Sequence, residues 1–125
     1  MKNFIVSLFC FLLTYIASAQ DISKNITQAT TQGNAHSIME YASNSIKMNI
    51  LTQSNVYSKN QAEWVLKSFF DKHAVKSFTL QQKGSKEGDT FINGLLKTAD
   101  GDYTIYYLIK NTNSIQEITI EEYDN

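Results

Sequence analysis

Proton-transfer chemistry in a small domain needs a carboxylate or imidazole that the fold buries and aims into a pocket. The 125-residue chain has 12 Asp and Glu residues and 2 histidines to draw on, and their positions point to other work. Asp21 and Asp124 fall near the ends of the segment expected to fold, Asp71 near the end of a long helical pattern, and Asp89, Asp100 and Asp102 in or beside turns. Glu63 is on the polar side of that helix. Glu117, Glu121 and Glu122 decorate the last strand pattern, where like charge keeps a sheet edge soluble. His36 belongs to a short surface helix and His73 to the C-terminal end of the long one, where an imidazolium interacts favourably with the helix dipole. Asp71 and His73 form a tempting pair, but residues two apart on a helix do not face each other, so both read as cap-region residues. No residue is assigned a catalytic role.

A zinc site needs a third ligand, and no paired-histidine helix motif supplies one; neither metal nor cofactor is expected. The run Gly84-Ser85-Lys86-Glu87-Gly88 joins two strand patterns and lacks the Gly-Lys-Ser/Thr ending that opens a helix in a phosphate loop, so it reads as a hairpin. Asn25-Ile26-Thr27 matches a glycosylation sequon, a match that arises by chance in a chain so rich in Asn and Thr, and it is given no functional weight.

The compartment is set by residues 1–19. Lys2 gives a charged start, Phe4 to Ile16 an apolar run, and Ala17-Ser18-Ala19 a small-residue cleavage site, the three parts of a secretory signal peptide in order. The apolar run is broken by Ser7 and Thr14 and is shorter than the roughly 20 residues that span a bilayer. Cys10 sits inside it rather than at the cleavage point, which argues against lipid attachment. The expectation is export, to the periplasm or beyond, with no membrane anchor after cleavage and one domain over residues 20–125. Cys10 is the single cysteine, so its loss leaves no disulfide, thiolate nucleophile or cysteine ligand. Lys2 is one of 11 basic residues against 12 acidic ones; without it the balance is slightly acidic and offers no general attraction for nucleic acid.

The elements that would position these groups follow from periodicity. Asp21 can cap a helix bearing Ile22, Ile26 and Ala29, stopped by Gly33. Asn34 can cap a second, with Ala35, Ile38, Met39 and Ala42 on one face. From Ser45 to Leu51 the period changes to two, a half-buried strand. Ser58-Lys59-Asn60-Gln61 has the form of a capping box, and the long helix it opens carries Ala62, Val65, Leu66, Phe69 and Phe70 as its core stripe. Four strand patterns follow, Ser77 to Lys83, Thr90 to Thr98, Asp102 to Lys110 and Ser114 to Glu122. Their turns are Gly84 to Asp89, Asp100-Gly101 and Asn111-Thr112-Asn113. Gly94, mid-strand, marks a bend or bulge. The order predicts an α+β fold: two short helices, one strand, a long amphipathic helix, then a four-stranded antiparallel meander curled around it.

With Val56-Tyr57-Ser58-Lys59 opening the long helix, Phe69-Phe70 closing it and Phe91-Ile92-Asn93-Gly94-Leu95-Leu96 in the meander, the chain resembles a family of small exported bacterial proteins known as domain of unknown function 4783. The resemblance covers the whole segment after the leader. It implies a cone-shaped fold of the nuclear-transport-factor-two-like, or cystatin-like, superfamily, in which a curled sheet wraps a long helix and leaves a pocket at the open end. It carries over no catalytic or binding residues. The superfamily spans isomerase and dehydratase enzymes, binding modules and dimeric interaction domains, so membership alone does not choose a function.

The aromatic residues offer the sharper candidates. Between Asp102 and Lys110, Tyr103, Ile105, Tyr107 and Ile109 share one face and Thr104, Tyr106, Leu108 and Lys110 the other. One set can pack on the helix; the second leaves Tyr106 and Leu108 on the outer sheet as a partner surface, most simply for a two-fold homodimer. Tyr57, Trp64, Phe69, Tyr103 and Tyr107 are the expected lining of a pocket for a small apolar ligand, since aromatics with one polar end suit a pocket rim. The leading expectation is a non-enzymatic exported module that binds such a ligand or a protein partner. The alternatives are a small acid-base enzyme of the isomerase or dehydratase type and a purely structural dimerisation module. An enzyme should show a carboxylate or histidine pointing into an enclosed pocket, a binder an apolar cavity without one.

Overall fold

The capping box is where sequence and backbone meet most directly. In the computed structural model, which describes residues 22–110 and 113–124, the Gln61 N–H donates to Ser58 Oγ at 3.3 Å and the Ser58 N–H donates back to Gln61 Oε1 at 3.4 Å. The helix so opened, α3, runs Lys59–Lys72 and buries Ala62, Leu66, Phe69 and Phe70. Two helices precede it. In α1, Ile22–Thr31, Ile26, Ala29 and Thr30 face the core. The chain leaves α1 through Gly33 at φ 62°. There the Asn34 N–H reaches the Ala29 carbonyl at 2.9 Å and the Gly33 N–H that of Thr30 at 3.0 Å, the paired bonds of a Schellman stop. Asn34 then caps α2, Ala35–Met39, by accepting from the Ser37 N–H at 3.1 Å. The expected leader over residues 1–19 with Cys10, the Asp21 cap, and Asn111-Thr112 of the third turn lie outside the described residues. No helix among the described residues is long and apolar enough to cross a membrane.

Six strands form one sheet: β1 Ala42–Ile50, β2 Gln53–Ser58, β3 Val75–Lys86, β4 Asp89–Thr98, β5 Gly101–Lys110 and β6 Ser114–Glu122, in the order β2-β1-β6-β5-β4-β3. All neighbours are antiparallel except β1 and β6, which run parallel. The sequence predicted five strands. The sixth, β2, is an edge strand exposed along nearly its whole length, so it lacks the alternation that burial on one face imposes on a sequence. Gly94 lies where the expected irregularity falls: it pairs with Leu80, and the ladder resumes at Gln82↔Asn93 with Gln81 as an extra residue on β3. A Cβ on Gly94 would sit 2.5 Å from the Phe78 ring and from the Thr79 carbonyl oxygen.

The core lies between the helices and the inner face of β1, β6, β5 and β4, where Ile46, Met48, Ile118, Ile120, Ile105, Tyr107, Ile92 and Leu96 are sealed. Each such aliphatic group contributes about 1.5–3 kcal/mol by burial. The helices divide the work differently from the single central helix expected. Contacts of α3 fall on β1, β2 and α2, while α1 packs on β3. From α1, Thr30 reaches across to Tyr107 in the middle of β5, Oγ1 to Oη 2.7 Å, with both residues at 0 % exposure. The middle of the sheet is therefore closed by α1 as much as by α3.

Candidate functional site

The fixed start of α3 sets the phase of everything along it. Val65, Ser68, Phe69 and Lys72 are spaced by three, four and seven residues and so share one side, facing Met48 and Ile50 of β1 and the turn Leu51–Thr52 that leads into β2. Together with Gln53, Tyr57 and His73 they line a cleft of about 300 Å³. Leu51 stands in the left-handed region at φ 56°, held there by its N–H donating to the Ile120 carbonyl at 2.8 Å.

His73 closes one end of the cleft. Its N–H caps α3 by donating to the Phe69 carbonyl at 2.8 Å. Its ring lies 4.6 Å from that of Phe69 and 5.1 Å from that of Tyr103. Nδ1 is 2.9 Å from both carboxylate oxygens of Asp100 and 3.2 Å from Tyr103 Oη. A carboxylate only accepts, so Nδ1 carries a proton, and Nε2 is the ring's other nitrogen. That atom has no hydrogen bond within the described residues, and His73 is among the residues that line the cleft.

Asp100 is held as firmly as its partner. Thr98 Oγ1 lies 3.0 Å from Asp100 Oδ1 and 2.6 Å from the Gly101 carbonyl, and the Ala99 N–H donates to the Ala74 carbonyl at 3.0 Å, pinning the β4–β5 turn to the residue after His73. The hydrogen bond from His73, with that from Thr98, holds the Asp100 carboxyl below the usual aspartate range although its side chain is 52 % exposed. Burial, with the nearby charges of Asp100 and Glu122, pushes the Tyr103 phenol up. Among the described residues no three His, Cys, Asp or Glu side chains come together in a way that holds a metal ion.

The five residues expected to line a pocket are not brought to one place. Tyr57 and Phe69 line the cleft. Trp64, 69 % exposed, lies outside it in a shallow groove with Tyr57, Asn60, Gln61 and Val65. Tyr103 stands behind the lining, edge-on to Phe69 at 5.3 Å. Tyr107 belongs to the core: its hydroxyl is sealed against Thr30, and burial drives its pKa upward. Tyr106 and Leu108 are half-buried on the outer sheet face, where Phe91 stacks on Tyr106 at 6.4 Å. Asp71 takes Lys67 as its partner at 2.9 Å, and exposed His36 takes Glu63 at 3.1 Å. Sequence reasoning missed Met48, Ile50, Val65 and Ser68 as lining, although the helical spacing of Val65, Ser68, Phe69 and Lys72 was there to be read. It also missed the His73–Asp100 pair, whose members are 27 residues apart and carry no local signal.

The model of a family described as a domain of unknown function, DUF4783, matches residues 23–121. A DUF4783 family protein from Bacteroides uniformis ATCC 8492 shares 25% identity and superposes with a TM-score of 0.80 over 84% of this chain and 100% of its own. One from Bacteroides fragilis YCH46 shares 26% at a TM-score of 0.76, over 82% and 100%. An NTF2-like protein of unknown function from Cytophaga hutchinsonii ATCC 33406, at 8% identity and a TM-score of 0.59 over 80% and 85%, shows the fold alone. No curated protein matches the chain in sequence.

Proposed function

The chain belongs to the DUF4783 family, and we propose that it is an exported, non-enzymatic module that binds a small, mainly apolar ligand in the cleft between α3 and the β1–β2 hairpin. The observation that carries this reading is the lining: Met48, Ile50, Leu51, Val65 and Phe69 supply apolar walls, a few polar groups lie among them, and no carboxylate does. That is the make-up of small-molecule sites in general. Export rests on the leader pattern of residues 1–19. In the same reading the outer face around Tyr106 and Leu108 pairs two copies of the chain.

A small acid-base enzyme of the isomerase or dehydratase type is favoured by one observation, the free Nε2 of His73 at the cleft with Asp100 behind it. Binding stands first because proton abstraction also needs donors arranged around a developing oxyanion and water kept out, and this cleft opens to solvent.

The test is a titration of the purified protein with 1-octanol, a neutral probe, followed by NMR. Shifts should concentrate at Met48, Ile50, Val65 and Phe69 and vanish in Val65→Trp, whose indole fills the cleft. Shifts spread evenly over the surface, or unchanged in Val65→Trp, refute the reading.

A further inference from the structure

The charge pattern of the cleft narrows what it takes. One lining residue carries a fixed charge, Lys72, and none is acidic. Lys72 makes no ion pair among the described residues, whereas Lys67, one turn earlier on α3, is committed to Asp71 at 2.9 Å. Lys72 is set apart by its place on the cleft rather than by lacking an ion pair, since of the lysines among the described residues only Lys67 and Lys110 make one. Beside it stands His73, its Nδ1–H fixed by Asp100 and its Nε2 free.

These two groups suit one kind of head group. A carboxylate can accept from the Lys72 ammonium and from His73 Nε2 when that nitrogen is protonated, with Asp100 stabilising the imidazolium from behind. A carboxylic acid can instead donate its proton to neutral Nε2. Both protonation states of a weak acid are therefore accommodated, while an ammonium head meets Lys72 with no carboxylate to compensate. The C-terminal end of α3 carries partial negative charge that opposes an anion, so the attraction must come from Lys72 and a protonated His73. The other walls are mainly apolar, with Thr52, Gln53 and Ser68 among them, and the volume of about 300 Å³ equals roughly ten water molecules at ~30 Å³ each, enough for a head group and a short chain or single ring.

We propose that the cleft binds an amphiphilic carboxylate, its head between Lys72 Nζ and His73 Nε2 and its tail along Met48, Ile50, Val65 and Phe69. This rests on the reading that the cleft binds a small ligand at all. It is tested by calorimetric titration of the purified protein with octanoate, octanamide and octylammonium, which share a tail and differ in the head. Octanoate should bind about tenfold or more tighter than octanamide, the ratio set by charge-assisted hydrogen bonds, and octylammonium weakest. Lys72→Met, a change on an exposed side chain, should erase the octanoate advantage and leave octanamide within about twofold of its original affinity, the size of effect an exposed charge has on a neutral ligand. His73→Gln should weaken octanoate as well. Equal binding of octanoate and octanamide, tightest binding of octylammonium, or an octanoate advantage that survives Lys72→Met overturns the carboxylate assignment while leaving a neutral-ligand site intact. Failure of all three probes to bind overturns this assignment, and with 1-octanol also inert the ligand-binding reading falls with it.

Discussion

The seating of α1 on the sheet can be measured through the Thr30–Tyr107 pair. Thr30 Oγ1 donates to the Ile26 carbonyl at 2.7 Å and accepts from Tyr107 Oη at 2.7 Å, all of it sealed from water. Thr30→Val removes the acceptor and strands the Tyr107 hydroxyl in the core; an unsatisfied buried donor costs about 1–3 kcal/mol. The Ile26 carbonyl keeps its helical partner, so nothing further is stranded. Tyr107→Phe removes the hydroxyl instead, and Thr30 still has Ile26 as its acceptor, so the loss is that of one ordinary hydrogen bond, about 0.5–1.5 kcal/mol. The double variant strands neither group and should be no worse than Tyr107→Phe alone. A double-mutant cycle by urea denaturation should therefore return a coupling of about 1–3 kcal/mol, with Thr30→Val the least stable of the four proteins. Burial keeps the Tyr107 phenol protonated well above its ordinary range, so the coupling should not change between neutral and mildly alkaline pH. Additive losses would refute the inter-element bond, and with it the claim that α1 closes the centre of the sheet.

Phe69→Ala should cost about 3 kcal/mol in the same assay, the lower end of the range for a buried Phe, because one side of the ring already faces the cleft and water can enter the space left; an unchanged urea midpoint would remove Phe69 from the core. Asp100 makes a pH-dependent contribution. Its folded pKa lies below the ordinary aspartate value, so the contribution is full above that ordinary value and is lost as pH falls through the folded value. Asp100→Asn should accordingly be less stable than the parent at neutral pH and converge with it in acid, and a gap that is the same at both pH values would separate Asp100 from His73. If the outer face pairs two copies of the chain, light scattering at high protein concentration should give a dimer that Tyr106→Lys converts to a monomer; a monomeric parent defeats the interface.

What could be read in advance was whatever local rules determine. The capping box, the Ala62-Leu66-Phe69-Phe70 stripe, the Schellman glycine and the alternation of β6 each need only a few consecutive residues, and each stands where periodicity put it. The β2 strand escaped because Gln53, Ser54 and Asn55 are exposed on both faces, and a strand without a buried side leaves no period to detect. In β5 the alternation separated Tyr107 from Tyr106 correctly. Which inward aromatic would line a pocket and which would be core depended on Thr30, 77 residues away, and no pattern in β5 encodes that. The His73–Asp100 contact is of the same kind, a product of the β4–β5 turn folding back on the end of α3.

The location of the cleft follows from that division of labour. A sheet of six strands is wider than one helix can cover, and α3 lies toward β1 and β2 while α1 takes the β3 side. With Thr30 and Tyr107 closing the middle, the space left over falls at the margin, between the C-terminal half of α3 and the β1–β2 turn, where Ile50 and Val65 are only half-buried. An edge cleft of this kind is bounded by a helix end, and a helix end must satisfy its last carbonyls. His73 satisfies the Phe69 carbonyl with its N–H, which fixes its backbone beside the cleft, and Asp100 then fixes its ring. The imidazole at the cleft is therefore placed by the same contacts that terminate α3, and if the cleft binds the proposed ligand, mutations that loosen the β4–β5 turn should weaken that binding before they disturb the core.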